Sequence, residues 1–293
     1  MSCGILMFAY NNASVDYTGM AFGNALLIKR NMPGIPICLA TNRSSYRHLI
    51  NQVDESVIKN TFDHVLYDEL IDKRVAVRRY MDTRYTNYSD SYHNVNRTNA
   101  YDISPFDQTL LLDTDYLILD DSLNLAWNCQ EDFMCNRKTI TLDHDVNSFG
   151  FDNRFNSMSI PLYWATAIYF TKTERSQLIF ELINYVKDNY EYYQYLYGFH
   201  HSGYFRNDFA LSIAMHMVNN MMEYGAIKSL PIDHILVSME TDEMHDFIDG
   251  CAIITSEPQE GDFRLHSVST NVHVMNKFAI MRNIDKIIKH AIS

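Results

Sequence analysis

Apolar residues come in short blocks along the chain, each closed by polar or turn-forming residues. Gly4 to Ala9 (GILMFA) is an apolar run of strand length closed by Asn11 and Asn12, and Val15 to Arg30 has the length and spacing of a helix. Asn31, Pro33 and Gly34 stop that helix before a second strand at Ile35 to Ala40. Strand, helix, strand implies a parallel pair with a right-handed crossover, and ligands of such sheets lie beyond the carboxyl ends of the strands. A third strand is expected at His64 to Tyr67, followed by a basic helical stretch. From Asp82 to Asn99 the chain is rich in Tyr, Asn, Ser and Arg with little apolar periodicity, which reads as a long surface loop suited to an acceptor or a lid. Pro105 ends it, and Gln108 to Leu112 runs into Asp113.

The second half opens with an apolar strand at Ile160 to Phe170. A helix follows from Thr173 to Tyr195, capped by Thr173 with Glu174 in its first turn. Its cluster Tyr190, Tyr192, Tyr193, Tyr195 and Tyr197 suits either stacking on sugar rings or a packed helix end. A helix at Arg206 to Glu223, strands at Ile235 to Val237 and Cys251 to Thr255, and an amphipathic helix after His273 complete the pattern. No internal repeat or low-complexity tract interrupts it.

The length of 293 residues suits one core with a few insertions, and 47% apolar content is enough to fill it. No run reaches the length of about 18 apolar residues that a membrane span needs, and Met1 to Asn12 lacks the basic lead of a secretory signal, so the expectation is a cytoplasmic protein without a membrane span. The five cysteines are scattered with no C-x-x-C pair, which points to reduced thiols and away from a zinc or redox motif. A formal charge of −12 disfavours nucleic acid over most of the surface. Locally the balance reverses: Lys73, Arg74, Arg78, Arg79, Arg84 and Arg97 face only Asp82 and Asp90, a net of +4 that would draw a diphosphate or a phosphorylated acceptor.

The sharpest chemical signal is Thr109 to Ile118, TLLLDTDYLI. If these residues form one strand, Asp113 and Asp115 at alternate positions face one site. Two carboxylates that close repel unless a cation lies between them, and oxygen ligands suit Mn²⁺ or Mg²⁺, which also bind phosphate oxygens. An ion held there would stabilise charge growing on a diphosphate leaving group. A bare D-x-D is also common where Asp caps a turn.

Its setting goes further. Ser104, Pro105, Phe106, Asp107 and Gln108 followed by TLLLDTDYLI resemble the segment that precedes and contains the D-x-D of GT-A glycosyltransferases, in particular the glycogenin-like and lipopolysaccharide galactosyltransferase group. GILMFAYNN and VDYTGMAFGNALLIKRNMPGIPICLATN resemble the first strand, helix and second strand of that family, in order. The resemblance implies an α/β fold of GT-A (Rossmann-like) type, with a mixed, mainly parallel sheet flanked by helices. It also implies a single domain over 1–293, with a nucleotide-binding part at about 1–120 and an acceptor-binding part at about 121–293.

By that likeness Ala9, Tyr10, Asn11 and Tyr17 contact the base and ribose of the donor, Thr114 lies within the donor-binding D-x-D, and Arg97 stands where a basic residue meets donor phosphate or sugar. FRNDFA at Phe205 to Ala210 resembles the acidic and amide pair beside the reacting sugar, which makes Asn207 and Asp208 the catalytic candidates. The family more often has Asp-Gln at this point. VHVMNK at Val272 to Lys277 resembles the late metal-binding His with a following Lys, so His273 joins Asp113 and Asp115 around Mn²⁺ (or Mg²⁺) and Lys277 meets the diphosphate. The family's glycine and lysine-proline-tryptophan ending is absent here. The implied activity is metal-dependent transfer of a sugar from a nucleotide-diphosphate donor, a UDP-sugar, to a hydroxyl acceptor with retention of configuration. The acceptor is a glycan, a small molecule or a hydroxymethylated base in DNA, read by the Tyr-rich loop and by Leu125 to Ser159. A catalytically silent nucleotide-sugar-binding protein and a nucleotidyltransferase compete with this reading, though no Gly-rich phosphate loop follows the first strand.

Overall fold

A computed structural model describes residues 1–68, 76–93, 95–143, 154, 159–199, 204–222, 227–256 and 262–293. The elements run in the order β1 (Cys3–Ala9), α1 (Tyr17–Asn31), β2 (Ile37–Thr41), α2 (Arg43–Gln52), α3 (Glu55–Thr61), β3 (His64–Tyr67), β4 (Ala76–Met81), β5 (Asn87–Tyr92), α4 (Ala100–Ile103), β6 (Gln108–Leu112) and β7 (Tyr116–Leu117). They continue with β8 (Phe133–Asn136), β9 (Thr139–Thr141), β10 (Trp164–Thr171), α5 (Glu174–Asp188), α6 (Tyr190–Leu196), α7 (Asn207–Val218), β11 (Ile235–Ser238), β12 (Glu243–Ile248), β13 (Cys251–Ser256), β14 (Arg264–Val268), β15 (Val272–Val274) and α8 (Lys277–Ile292).

The central sheet has the order β3-β2-β1-β6-β10-β8. Its first four strands are parallel, and β10 lies antiparallel to both β6 and β8. Helices cover both faces, as the apolar strands require: β2 is buried at all five positions and β6 at four of five, the signature of a sheet with no wet side. One face packs on α1 and α3 through Phe22, Ala25, Ile28 and Ile58, the other on α5 and α7 through Ile179, Ile183, Leu211 and Ala214. The crossing of β1 over Phe106 is close enough that a Cβ on Gly4 would lie 2.5 Å from the ring, so only glycine fits there.

A smaller sheet, β7-β15-β11-β9, adjoins the carboxyl end of β6, and the antiparallel β12-β13-β14 sheet packs on α8. The mixed, mainly parallel sheet flanked by helices agrees with the fold class expected from the sequence. Four local expectations are corrected. The basic stretch is not helical, and residues 82–99 are not one long loop: β4 and β5 pair as a hairpin, Arg78 opposite Asp90 and Tyr80 opposite Tyr88, followed by a 3-10 turn at Val95–Asn99. Its inward face carries Arg78, Tyr80 and Tyr92 in place of aliphatic side chains, so no apolar alternation announced it. The long helix ending at Tyr195 breaks at Asn189 into α5 and α6. Finally, Asp113 and Asp115 are not alternate residues of one strand. They sit in the turn between β6 and β7, closed by the Tyr116 amide donating to the Asp113 carbonyl at 3.2 Å.

Candidate metal and nucleotide-sugar site

The β6–β7 turn opens at the carboxyl ends of β1 and β6, and two neighbouring strands fix its residues. The Asp113 amide donates to the Thr166 carbonyl of β10 at 2.9 Å, and the Val274 amide of β15 donates to the Asp115 carbonyl at 2.9 Å. Pairing of β15 with β7 sets His273 opposite Tyr116, which delivers an imidazole from 158 residues further along the chain to the carboxylates. One ligand atom each from Asp113, Asp115 and His273 lies within 4.8 Å of the others. His273 is held at both nitrogens: Nδ1 is 3.2 Å from the Thr166 hydroxyl, and Nε2 is 3.3 Å from Asp115 Oδ2. A hydroxyl on the far nitrogen turns the ring and leaves the near one as a metal ligand. Oxygen, oxygen and imidazole suit a divalent cation such as Mn²⁺ or Mg²⁺.

Around this group lies a cavity of about 320 Å³. Lys277 begins α8, whose cap Asn276 accepts from the Ala279 amide while its own side-chain amide donates to the Asp82 and Asp242 carbonyls. So placed, Lys277 Nζ reaches Asp115 Oδ2 at 2.5 Å. Arg97, 5% exposed, pairs with Asp113 and donates to the Ala165 carbonyl. Arg206 grips Asp208, its Nε donating to Oδ1 at 3.0 Å, and Arg78 pairs with Glu240 at 2.5 Å. Among the described residues, every Arg, Lys, Asp and Glu of the wall belongs to one of these four pairs.

The two metal-site carboxyls respond to this environment in opposite ways. Burial raises Asp113, with Arg97 opposing and Asp115 adding to it. Burial presses Asp115 upward too, but the Lys277 ammonium and then His273 outweigh it and hold its carboxyl well below the usual carboxylate range.

The cavity wall brings together Tyr10, Tyr17, Arg97, Asp113, Thr114, Asp115, Asn207, Asp208, His273 and Lys277 among the residues singled out in the sequence. The Tyr10 hydroxyl donates to Asp68 at 3.1 Å and that of Tyr17 to Tyr80 at 3.2 Å. Ala9 and Asn11 are not in the wall. Ala9 is fully buried, its carbonyl accepting from the Thr41 hydroxyl at 2.5 Å. Asn11 organises the β1–α1 connection, donating to Asp16 at 2.7 Å and accepting from the Thr18 amide at 2.8 Å, and it faces a second, more apolar cavity between α1, α2 and α8. Sequence reasoning missed Tyr92, His93, Trp164, Thr166, Tyr204 and Glu240 in the wall and did not single out Arg78. Tyr92 carried a signal as part of the Tyr-rich stretch from Asp82 to Asn99, and Arg78 as part of the basic run. There, too, the free positive charge is smaller than the count suggested, because Arg78 and Arg97 are paired, while Lys73 and Arg74 lie outside the described residues.

No family model matches the chain, and no curated protein does. Solved structures to which the chain is similar include the glycosyltransferase GlyE of Streptococcus pneumoniae TIGR4, 13% identical with a TM-score of 0.44 over 78% of this chain and 45% of that one. The galactosyltransferase LgtC, in complex with donor and acceptor sugar analogs, is 14% identical with a TM-score of 0.42 over 72% of this chain and 70% of that one. A putative glucose-1-phosphate thymidylyltransferase of Bacillus anthracis is 10% identical with a TM-score of 0.37, covering 62% of this chain and 75% of that one. The chain spans less than half the length of GlyE. Likenesses this distant define neither donor nor acceptor, and the chemistry rests on the side chains. Among the described residues no helix is long and apolar enough to cross a membrane.

Proposed function

We propose that the protein is a glycosyltransferase that moves a sugar from a nucleoside diphosphate donor, a UDP-sugar, to a hydroxyl acceptor in a metal-dependent reaction. The observation that carries this reading is the convergence of Asp113, Asp115 and His273 on one point of a cavity at the carboxyl ends of the central strands. These three residues would hold Mn²⁺ or Mg²⁺, which supplies positive charge to the departing diphosphate. The chain's own residues do the rest. Lys277, at the positive end of α8 and paired with Asp115, and Arg97, paired with Asp113, would meet the pyrophosphate. Tyr10 and Tyr17 offer ring faces and hydroxyls to the base and ribose. Asn207 and Asp208, at the start of α7, stand beside the reacting sugar, with Asp208 oriented by Arg206. Retention of configuration, and a division into a donor part at about 1–120 and an acceptor part at about 121–293, belong to the same proposal.

Calorimetry with UDP, with and without Mn²⁺, followed by a scan of UDP-sugars for released UDP, tests the reading. Mn²⁺-dependent UDP binding and turnover of at least one donor are expected. UDP affinity indifferent to Mn²⁺ would refute the metal site, and Mn²⁺-dependent binding with no donor turned over would leave a nucleotide-sugar-binding protein in its place.

A further inference from the structure

Three successive residues at the start of β10 reach the metal site, and one of them reaches it twice. Trp164 sets its ring edge-on to that of His273 with centres 6.5 Å apart, and the Ala165 carbonyl accepts from Arg97, the partner of Asp113. Thr166 touches both arms of the site at once. Antiparallel pairing of Ala167 with Leu112 carries the ladder one residue further, so the Thr166 carbonyl receives the Asp113 amide at 2.9 Å. The hydroxyl of the same residue lies 3.2 Å from His273 Nδ1. Thr166 is 2% exposed, and for filling that space valine, of nearly the same shape, would serve.

What valine lacks is a group that works in both directions. A neutral imidazole carries a proton on one nitrogen and accepts at the other. The ionised Asp115 carboxylate, with Oδ2 3.3 Å from Nε2, can only accept, which places the proton on Nε2 and leaves Nδ1 to accept from the Thr166 hydroxyl. A cation on Nε2 demands the reverse. That lone pair is then given to the ion, the proton lies on Nδ1, and the hydroxyl oxygen accepts it. One proton leaves Nε2 and one is taken up at Nδ1 by exchange with solvent, so the ring stays neutral. A threonine hydroxyl meets both demands by rotating about its C–O bond, whereas a backbone amide or carbonyl meets one.

We propose that Thr166 is a positioning residue for the cation, its hydroxyl reversing from donor to acceptor as His273 changes tautomer to bind the ion. This rests on the metal site of the transferase reading above and adds a residue to it. Thr166→Val removes the hydroxyl but leaves the carbonyl that holds Asp113, and Thr166→Ser restores the hydroxyl. In donor-free titrations of the full chain by calorimetry, Mn²⁺ affinity should fall by about 10- to 100-fold in Thr166→Val and stay within about 3-fold of the parent in Thr166→Ser. NMR of the chain labelled with nitrogen-15 histidine, with the His273 signals identified by their loss in His273→Ala, reads the tautomer directly. At pH 8 the ring proton should be on Nε2 without an ion and on Nδ1 in saturating Mg²⁺. The proposal is overturned if the parent binds Mn²⁺ and Thr166→Val binds it as well, if Thr166→Ser is as weak as Thr166→Val, or if the proton stays on one nitrogen throughout. A parent that binds no Mn²⁺ removes the metal reading itself, and this proposal with it.

Discussion

Neutralising either carboxylate of the β6–β7 turn should abolish metal-dependent donor binding, yet the two substitutions should differ sharply in their effect on the fold. Asp115 is 5% exposed and its charge is stabilised in the folded chain by the Lys277 ammonium at 2.5 Å and by His273 at 3.3 Å. Asp115→Asn leaves Lys277, itself 6% exposed, as a buried cation whose remaining hydrogen bond is to the Met275 carbonyl at 3.0 Å. Loss of one partner from such a pair costs roughly 3–5 kcal/mol. Asp113 has the opposite sign. Burial already presses its carboxyl toward the neutral form, so although Asp113→Asn leaves Arg97, 5% exposed, with the Ala165 carbonyl as its remaining partner among the described residues, the loss of stability should be smaller than for Asp115→Asn. The assay is urea unfolding at pH 7 in the presence of EDTA, followed by the fluorescence of Trp164 in the cavity wall and Trp127. In Asp115→Asn/Lys277→Met both charges are gone, and at least half of the lost stability should return. Equal losses for Asp113→Asn and Asp115→Asn, or no recovery in the double variant, would refute the account of this charge cluster.

Three further outcomes follow from the geometry. Asp208→Asn should lower kcat by about 100-fold while leaving UDP affinity in Mn²⁺ within about 3-fold, because the proposal puts this side chain beside the reacting sugar and gives the metal to Asp113, Asp115 and His273; a loss confined to nucleotide binding would contradict that assignment. Burial raises Asp242 from 3.8 to about 6, so the folded chain holds this proton more tightly than the unfolded one. Its contribution to stability is therefore greatest below pH 4, falls as pH rises to about 6 and is level above, by up to about 3 kcal/mol. Asp242→Asn keeps an acceptor for the Met239 amide and should remove that part of the pH dependence in urea unfolding between pH 4 and 7. Gly4→Ala places a methyl 2.5 Å from the Phe106 ring and should cost roughly 1–3 kcal/mol of stability, measured in the same way, with no change in metal affinity at an unperturbed site.

The parallel strands and their helices were legible because aliphatic periodicity dominates them. GILMFA, IPICLA and QTLLL read as strands from their composition, and α1, α7 and α8 from their spacing. The short polar helices α2 and α3 were not seen, since only three buried side chains anchor the first and two the second. The β4–β5 hairpin escaped for a related reason: its inward face is built of arginine and tyrosine, a pattern that local hydrophobicity cannot separate from a polar loop.

By itself, the sequence supplied the candidate groups: a tight pair of carboxylates after a buried strand, open to binding a cation or to capping a turn. Asp113 and Asp115 do occupy a turn, and it is the approach of His273 that makes them a possible metal site. Tertiary structure alone decided the rest. It brought His273 and Lys277 across more than 150 residues of chain to Asp115, matched the described Arg and Lys side chains of the cavity with carboxylates, and turned Asn11 away toward a different cavity. It also sorted the tyrosines of α6 into packed and presented sets. The physical reason is common to all of these. Strand register and helix packing set distances between residues remote in sequence, and charge pairing depends on those distances, whereas a sequence pattern records only which groups are available to be paired.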